Sequence, residues 1–142
     1  MESTEPLHPG MTVTYLGGLR CEGTHIRSGN RLTTDAPTDN QGRGEAFSPT
    51  DLMCTSLATC MLTLIGITAR EKDIPLDEVK VDIEKIMGSS PRRVTGVRLA
   101  FAMNVSAWDE KQYTMIRHAA ETCPVARSIH PDIKVELHWP EK

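Results

Sequence analysis

Residues Ser48–Ile65 read SPTDLMCTSLATCMLTLI, and the way this stretch folds decides the architecture of the chain. Ser48 suits a helix N-cap, because its hydroxyl can accept an orphan backbone N–H. Pro49 suits the first helical position, where an N–H has no intrahelical partner anyway. Asp51 stands where the acid of a capping box belongs. From Leu52 to Ala69 no side chain is charged, a run of 18 residues. That is near the lower limit for a membrane span, but Thr55, Ser56, Thr59, Thr63, Gly66 and Thr68 interrupt it. The expectation is therefore a buried helix of a soluble protein, from Ser48 to about Lys72. Met53, Leu57, Cys60, Leu64 and Ile67 form one stripe at helical spacing, and Leu52, Met61, Leu62 and Ile65 are apolar away from it. A helix apolar on most sides is a central one, wrapped by other elements.

On the N-terminal side, MTVTYL (Met11–Leu16) and LRCEGTHI (Leu19–Ile26) flank Gly17-Gly18, a hairpin signal. Ser28-Gly29-Asn30 marks a further turn, with a short strand near Leu32–Thr34. DAPTDNQGRGEAF (Asp35–Phe47) is rich in turn formers and reads as a loop, and a loop of that length in a small domain is often functional. On the C-terminal side the period changes to two. Val79, Val81 and Ile83 alternate with Lys80, Asp82 and Glu84; Val97, Leu99, Phe101, Met103 and Val105 alternate again; GSSPRR (Gly88–Arg93) turns between them. Ser106 and Asp109 offer the start of a second helix whose one face holds Tyr113, Ile116, Ala120 and Cys123. Pro124 interrupts it, and Ile133, Val135 and Leu137 form a last strand. The order predicts a single α+β domain over 1–142, with antiparallel sheets wrapped on a central helix.

The 142 residues carry 16 basic and 19 acidic side chains, a net charge of −3, and only 4% aromatics. No basic block and no stacking platform exist, so nucleic acid is not an expected partner. MESTEPLHPG has no apolar core and is not a signal peptide; the expected location is the cytoplasm, where thiols are mostly reduced. No metal or cofactor is expected. The four cysteines and five histidines lack zinc-ligand spacing, and there is no G-x-S-x-G, P-loop or dinucleotide fingerprint.

The chemistry therefore rests on thiols. Cys60 lies three turns into the helix. Its ordinary reading is a small core residue; its functional reading is a nucleophile, which needs a group that stabilises thiolate. Cys123 precedes Pro124 and would sit at a helix N-terminus, where partial positive charge favours thiolate; its ordinary reading is a cap. Cys54 and Cys60 on one helix are separated by roughly 9 Å along its axis and point in different directions, so they cannot pair. Cys60 with Cys123 is the pairing that stays open, and Cys21 reads as strand core.

SPTDL, then Cys60 deep in an apolar helix, then a distant CPVARS at Cys123, resembles the OsmC/Ohr family of osmotically inducible and organic-hydroperoxide-resistance proteins. The resemblance covers nearly the whole chain. It implies an intertwined homodimer with sites at the subunit interface. It implies a thiol peroxidase in which Cys60 attacks the peroxide oxygen and Cys123 resolves the sulfenic acid as a disulfide, with a dithiol such as a lipoyl group as reductant. It further implies an Arg from the early strands, for which Arg20 is the first candidate and Arg43 the second, and a Glu near the helix start. A thiolate in an apolar pocket requires a nearby cation, and apolar walls favour an organic hydroperoxide over hydrogen peroxide.

The chain departs from the family at one position. Thr50 stands where the peroxidases carry Glu after the proline, and Asp51 follows one residue later, about 100° around the helix. Asp51 is thus a supporting candidate only. That departure motivates an alternative: a redox-inert dimer of the same fold that binds a small apolar ligand in its interface pocket.

Overall fold

The computed structural model describes residues 2–142. The chain divides into two compact units, one ending at Thr50 and one running from Asp51 to Lys142.

The first unit is a three-stranded antiparallel sheet, β1 (Met11–Gly17), β2 (Arg20–His25) and β3 (Arg31–Asp35), in that order. The turn from β1 to β2 needs positive φ at Gly17, Gly18 and Leu19 (86°, 62° and 64°), which glycine adopts without a Cβ penalty. Side chains alternate across a strand, so Met11, Val13 and Tyr15 share one face, and the register adds Leu32 of β3 opposite Gly23. Those β1 side chains are 72%, 68% and 63% exposed. An apolar face this open is unusual for a lone soluble chain.

After β3 the loop turns back on itself. Gly42 N–H donates to Pro37 O at 3.0 Å, Gly44 N–H to Ala36 O at 3.4 Å, and Asp35 N–H to Phe47 O at 3.0 Å. A Cβ on Gly42 would stand 1.7 Å from the Ala36 carbonyl oxygen, so only glycine fits that approach.

Helix α1 (Pro49–Glu71) begins at the expected place, one residue after Ser48. The second unit continues with β4 (Lys80–Gly88), β5 (Arg93–Ala102), α2 (Glu110–Glu121), α3 (Pro124–Ser128) and β6 (Lys134–His138). β4 and β5 form the expected antiparallel hairpin. β6, however, joins β5 in parallel, from Gly96↔Lys134 to Ala100↔His138, where an all-antiparallel sheet was expected. The cause is the connection. The chain leaves β5, crosses through α2 and α3, and re-enters at the same end of the sheet, as a crossover requires. Asp109 opens α2 with a complete capping box: it accepts Gln112 N–H at 2.7 Å, and its own N–H donates to Gln112 Oε1 at 3.0 Å.

The core of this unit is one apolar cluster of Leu57, Met61 and Ile65 from α1, Val97, Leu99 and Phe101 from β5, and Ile116, Ala120 and Cys123 beyond. The buried face of α1 is therefore Cys54, Leu57, Ala58, Met61, Ile65 and Ala69. The stripe expected to be buried is rotated off the core: Met53, Cys60 and Leu64 are only partly covered, and Ile67 is exposed. A helix apolar on nearly all sides gives its sequence no means of choosing a face; the sheet chose it. The rotation leaves Cys60 half-buried rather than sealed.

Candidate active site

Helix α1 presents Cys60 against the apolar cluster to which Cys123 belongs, and Cys123 stands at the junction of α2 and α3. Cys123 is the N-cap of α3, with Pro124 at the first helical position as the sequence predicts. Its Sγ accepts the N–H of Ala126 at 3.3 Å. It is fully buried, lies near enough to Cys60 for that thiol to influence its ionisation, and all four cysteines of the chain are free thiols.

The electrostatics of Cys123 run opposite to the expectation. The N–H groups of Ala126 and Val125 do lower its pKa. Burial raises it more strongly, and nearby Cys60 raises it further, so the net shift is upward. Cys123 thus stays protonated at neutral pH. A buried, protonated thiol is suited to wait rather than to attack.

Cys54 has a third kind of environment. It is buried, and burial is the largest influence on its thiol, raising its pKa; Lys85 opposes this and Asp51 adds to it. Lys85 Nζ reaches Asp51 Oδ1 at 2.7 Å, with the lysine side chain only 18% exposed. Asp51, a supporting candidate from sequence, is thus bound to strand β4. Lys85 was not anticipated, yet the signal was present: in Val81, Ile83, Lys85, Met87 a lysine occupies a place in an apolar alternation, and the register sets it opposite the buried Val97.

In the first unit, Arg20 Nη1 contacts Glu45 Oε2 at 2.7 Å. Arg43, the second candidate, is exposed and makes no ion pair among the described residues. Thr50 Oγ1 lies 3.2 Å from Ser48 Oγ, a contact between neutral hydroxyls where a carboxylate was the family expectation. Cys21 is half-buried rather than core. Among the described residues no group of His, Cys, Asp and Glu could hold a metal ion.

Among curated proteins none matches the chain. A solved structure from Psychrobacter arcticus 273-4, described as a candidate osmotic stress induced and detoxification response protein, is 46% identical; the match covers 97% of this chain and 100% of that one, at a TM-score of 0.90. An organic hydroperoxide resistance protein OsmC from Legionella pneumophila shares the fold at 20% identity, covering 96% and 100%, with a TM-score of 0.72. One from Elizabethkingia anophelis does so at 17% identity, covering 99% and 100%, with a TM-score of 0.73. Residues 42–138, well over half of the chain, match the family described as OsmC-like protein, and on that extent the chain belongs to the OsmC-like family.

Proposed function

We propose that the protein is a thiol-dependent peroxidase that reduces organic hydroperoxides, with Cys60 as the attacking thiol and Cys123 as the resolving thiol. The observation that carries the reading is the proximity of the two thiols beside one apolar core, with Cys60 half-buried and Cys123 buried at the N-cap of α3.

The Cys60 thiolate attacks the distal oxygen of ROOH. The O–O bond breaks, the alcohol leaves after taking a proton, and Cys60 becomes a sulfenic acid. The Cys123 thiol then displaces its hydroxyl as water and forms the disulfide. A dithiol reductant, of which a lipoyl group is one example, returns both sulfurs to thiols and becomes a disulfide itself. Arg20 is the cation assigned to the attacking sulfur and the peroxide oxygens, as a charge and as an N–H donor.

The working form is a cytoplasmic homodimer. Two features support that reading. The β1 face of Met11, Val13 and Tyr15 lies open in the single chain, and so does much of α1, whose most apolar 18-residue window has a mean hydropathy of 1.8 yet is one-third buried. Covering such surface contributes about 25 cal/mol per Å². Light scattering at low micromolar protein should give twice the 15.7 kDa chain mass; a monomer would remove the interface site.

The deciding assay is consumption of cumene hydroperoxide with a dithiol reductant, compared with hydrogen peroxide. The reading expects turnover and a higher kcat/KM for the organic peroxide. The neutral Thr50–Ser48 contact favours a second reading, a redox-inert dimer binding a small apolar ligand. Absence of both turnover and a Cys60–Cys123 disulfide after one equivalent of peroxide would select it.

A further inference from the structure

All the aromatic side chains of the second unit gather around one arginine. Trp139, just beyond β6, stacks on the buried Phe101 of β5, with ring centroids 4.1 Å apart and 12° between the planes. Tyr113 of α2 is tilted against Trp108 at 6.1 Å. The Arg117 guanidinium stands over a ring of each pair, 5.5 Å from the centre of Tyr113 and 5.9 Å from that of Trp139. Rings attract a cation through their π faces and take up none of its N–H donors. Among the described residues Arg117 makes no hydrogen bond and no ion pair. A carboxylate was within reach by spacing: Glu121 follows Arg117 by one helical turn, yet the two do not pair. Arg117 also lines a hollow of about 520 Å³, together with Leu137, Trp139, Pro140 and Lys142. Glu141 is the one acidic side chain lining it, against the cations of Arg117 and Lys142.

Fastening the C-terminal residues does not require the donors of this arginine. Three other contacts hold them: the Trp139–Phe101 stack, the Tyr113 hydroxyl donating to Pro140 O, and Lys142 Nζ at 3.2 Å from Glu110 Oε1. We propose that the hollow is a binding site for a small organic carboxylate, anchored by the Arg117 guanidinium. A planar carboxylate matches one guanidinium with two parallel N–H···O bonds. A phosphate dianion calls for a second cation, and Lys142 is already engaged by Glu110. The rings hold Arg117 in place beforehand, so little side-chain freedom is lost when the anion arrives. Leu137 and Pro140 offer apolar surface to the carbon body of the ligand, and the hollow has the size of a small-molecule site. The proposal is independent of the peroxidase reading.

The test is titration of the full chain with hexanoate, hexanol and inorganic phosphate, followed by proton–nitrogen NMR of the indole and guanidinium N–H groups beside calorimetry. The Trp139 signal is the one missing in W139F. With hexanoate the Trp139 and Arg117 signals should move saturably, with a Kd of about 1 mM or tighter. The Trp108 indole, which donates to Pro75 O at 2.6 Å, should stay in place. Hexanol lacks the anion and phosphate lacks the carbon body, so each should bind at least about tenfold more weakly. R117Q should lose hexanoate binding. R117K keeps the charge without the fork and should bind about tenfold more weakly than wild type. An unchanged Trp139 response in R117Q, or R117K equal to wild type, overturns the site as drawn. Phosphate binding as tightly as hexanoate overturns the carboxylate assignment, and so does hexanol binding as tightly. A wild type that shows no saturation up to about 10 mM hexanoate overturns the site outright. If R117Q does not melt cooperatively, the wild-type and R117K titrations decide by the same outcomes.

Discussion

Helix α1 carries two thiols six residues apart, and their surroundings differ in kind. Cys60 is half-buried, lies on the side rotated off the core, and has a second thiol nearby. Cys54 is buried toward the sheet beside a lysine, the kind of neighbour that would normally activate a thiol. It is not activated. Asp51 binds Lys85 at 2.7 Å and opposes its field, and burial then sets the direction of the shift. The comparison teaches that a nearby cation does not make a thiol reactive. What matters is whether the cation is already neutralised along that line, and whether the product of oxidation has a partner waiting.

The sharpest way to break the comparison is to exchange serine for each thiol. Cys60→Ser should remove all reaction with peroxide, whereas Cys54→Ser should keep nearly full turnover, measured as hydroperoxide consumed with dithiol in excess. Equal losses would mean that the two environments are not functionally distinct. Cys123→Ser should have the next largest effect. It should consume about one peroxide per site and then stall, with Cys60 as a sulfenic acid trapped by dimedone and read by mass spectrometry. Oxidation appearing first at Cys123 in the Cys60→Ser protein would reverse the two roles.

The Cys54 side can be sharpened through its ion pair. Lys85→Met removes the ion pair with Asp51 and should destabilise the fold by about 1–3 kcal/mol. That is the lower part of the range for a broken buried pair, since Asp51 is 42% exposed. The double variant Lys85→Met/Asp51→Asn should recover part of that loss in denaturant unfolding. A double variant weaker than the single would mean that the pair does more than neutralise itself.

The smallest effect is in pH. Burial raises the folded-state pKa of Cys54 above its ordinary 9.0. Above that value the unfolded chain loses the proton first, the native state binds more protons, and stability falls as pH rises. Cys54→Ala should flatten the decline in melting midpoint above pH 9.0 while lowering the midpoint overall. An unchanged slope would show that other groups carry it.

Local chemistry made much of this legible. The helix start at Ser48-Pro49, the Gly17-Gly18 hairpin, the β4–β5 alternation and the Cys123-Pro124 cap each depend on residues adjacent in sequence, and each appears where expected. Cys60 and Cys123, an open pairing in the sequence, both belong to the apolar core region of the second unit.

What the residues could not declare is everything set by the partner across a gap. The buried face of α1 went to Cys54, Leu57, Met61 and Ile65, because an evenly apolar helix takes its orientation from the sheet it meets. β6 runs parallel to β5 because the crossover through α2 and α3 fixes its direction, which no strand pattern encodes. The upward shift of Cys123 is a balance of burial against backbone N–H groups, and burial is a property of the folded surroundings. Glu45 reached Arg20 across 25 positions of sequence because Asp35 and two glycines closed a loop, and Lys85 met Asp51 across 34. The sequence by itself determined elements and candidate thiols, since propensity, capping and turn chemistry act between neighbours. Only the tertiary structure decided which charges meet and which face is covered, since those energies exist only once distant segments are in contact.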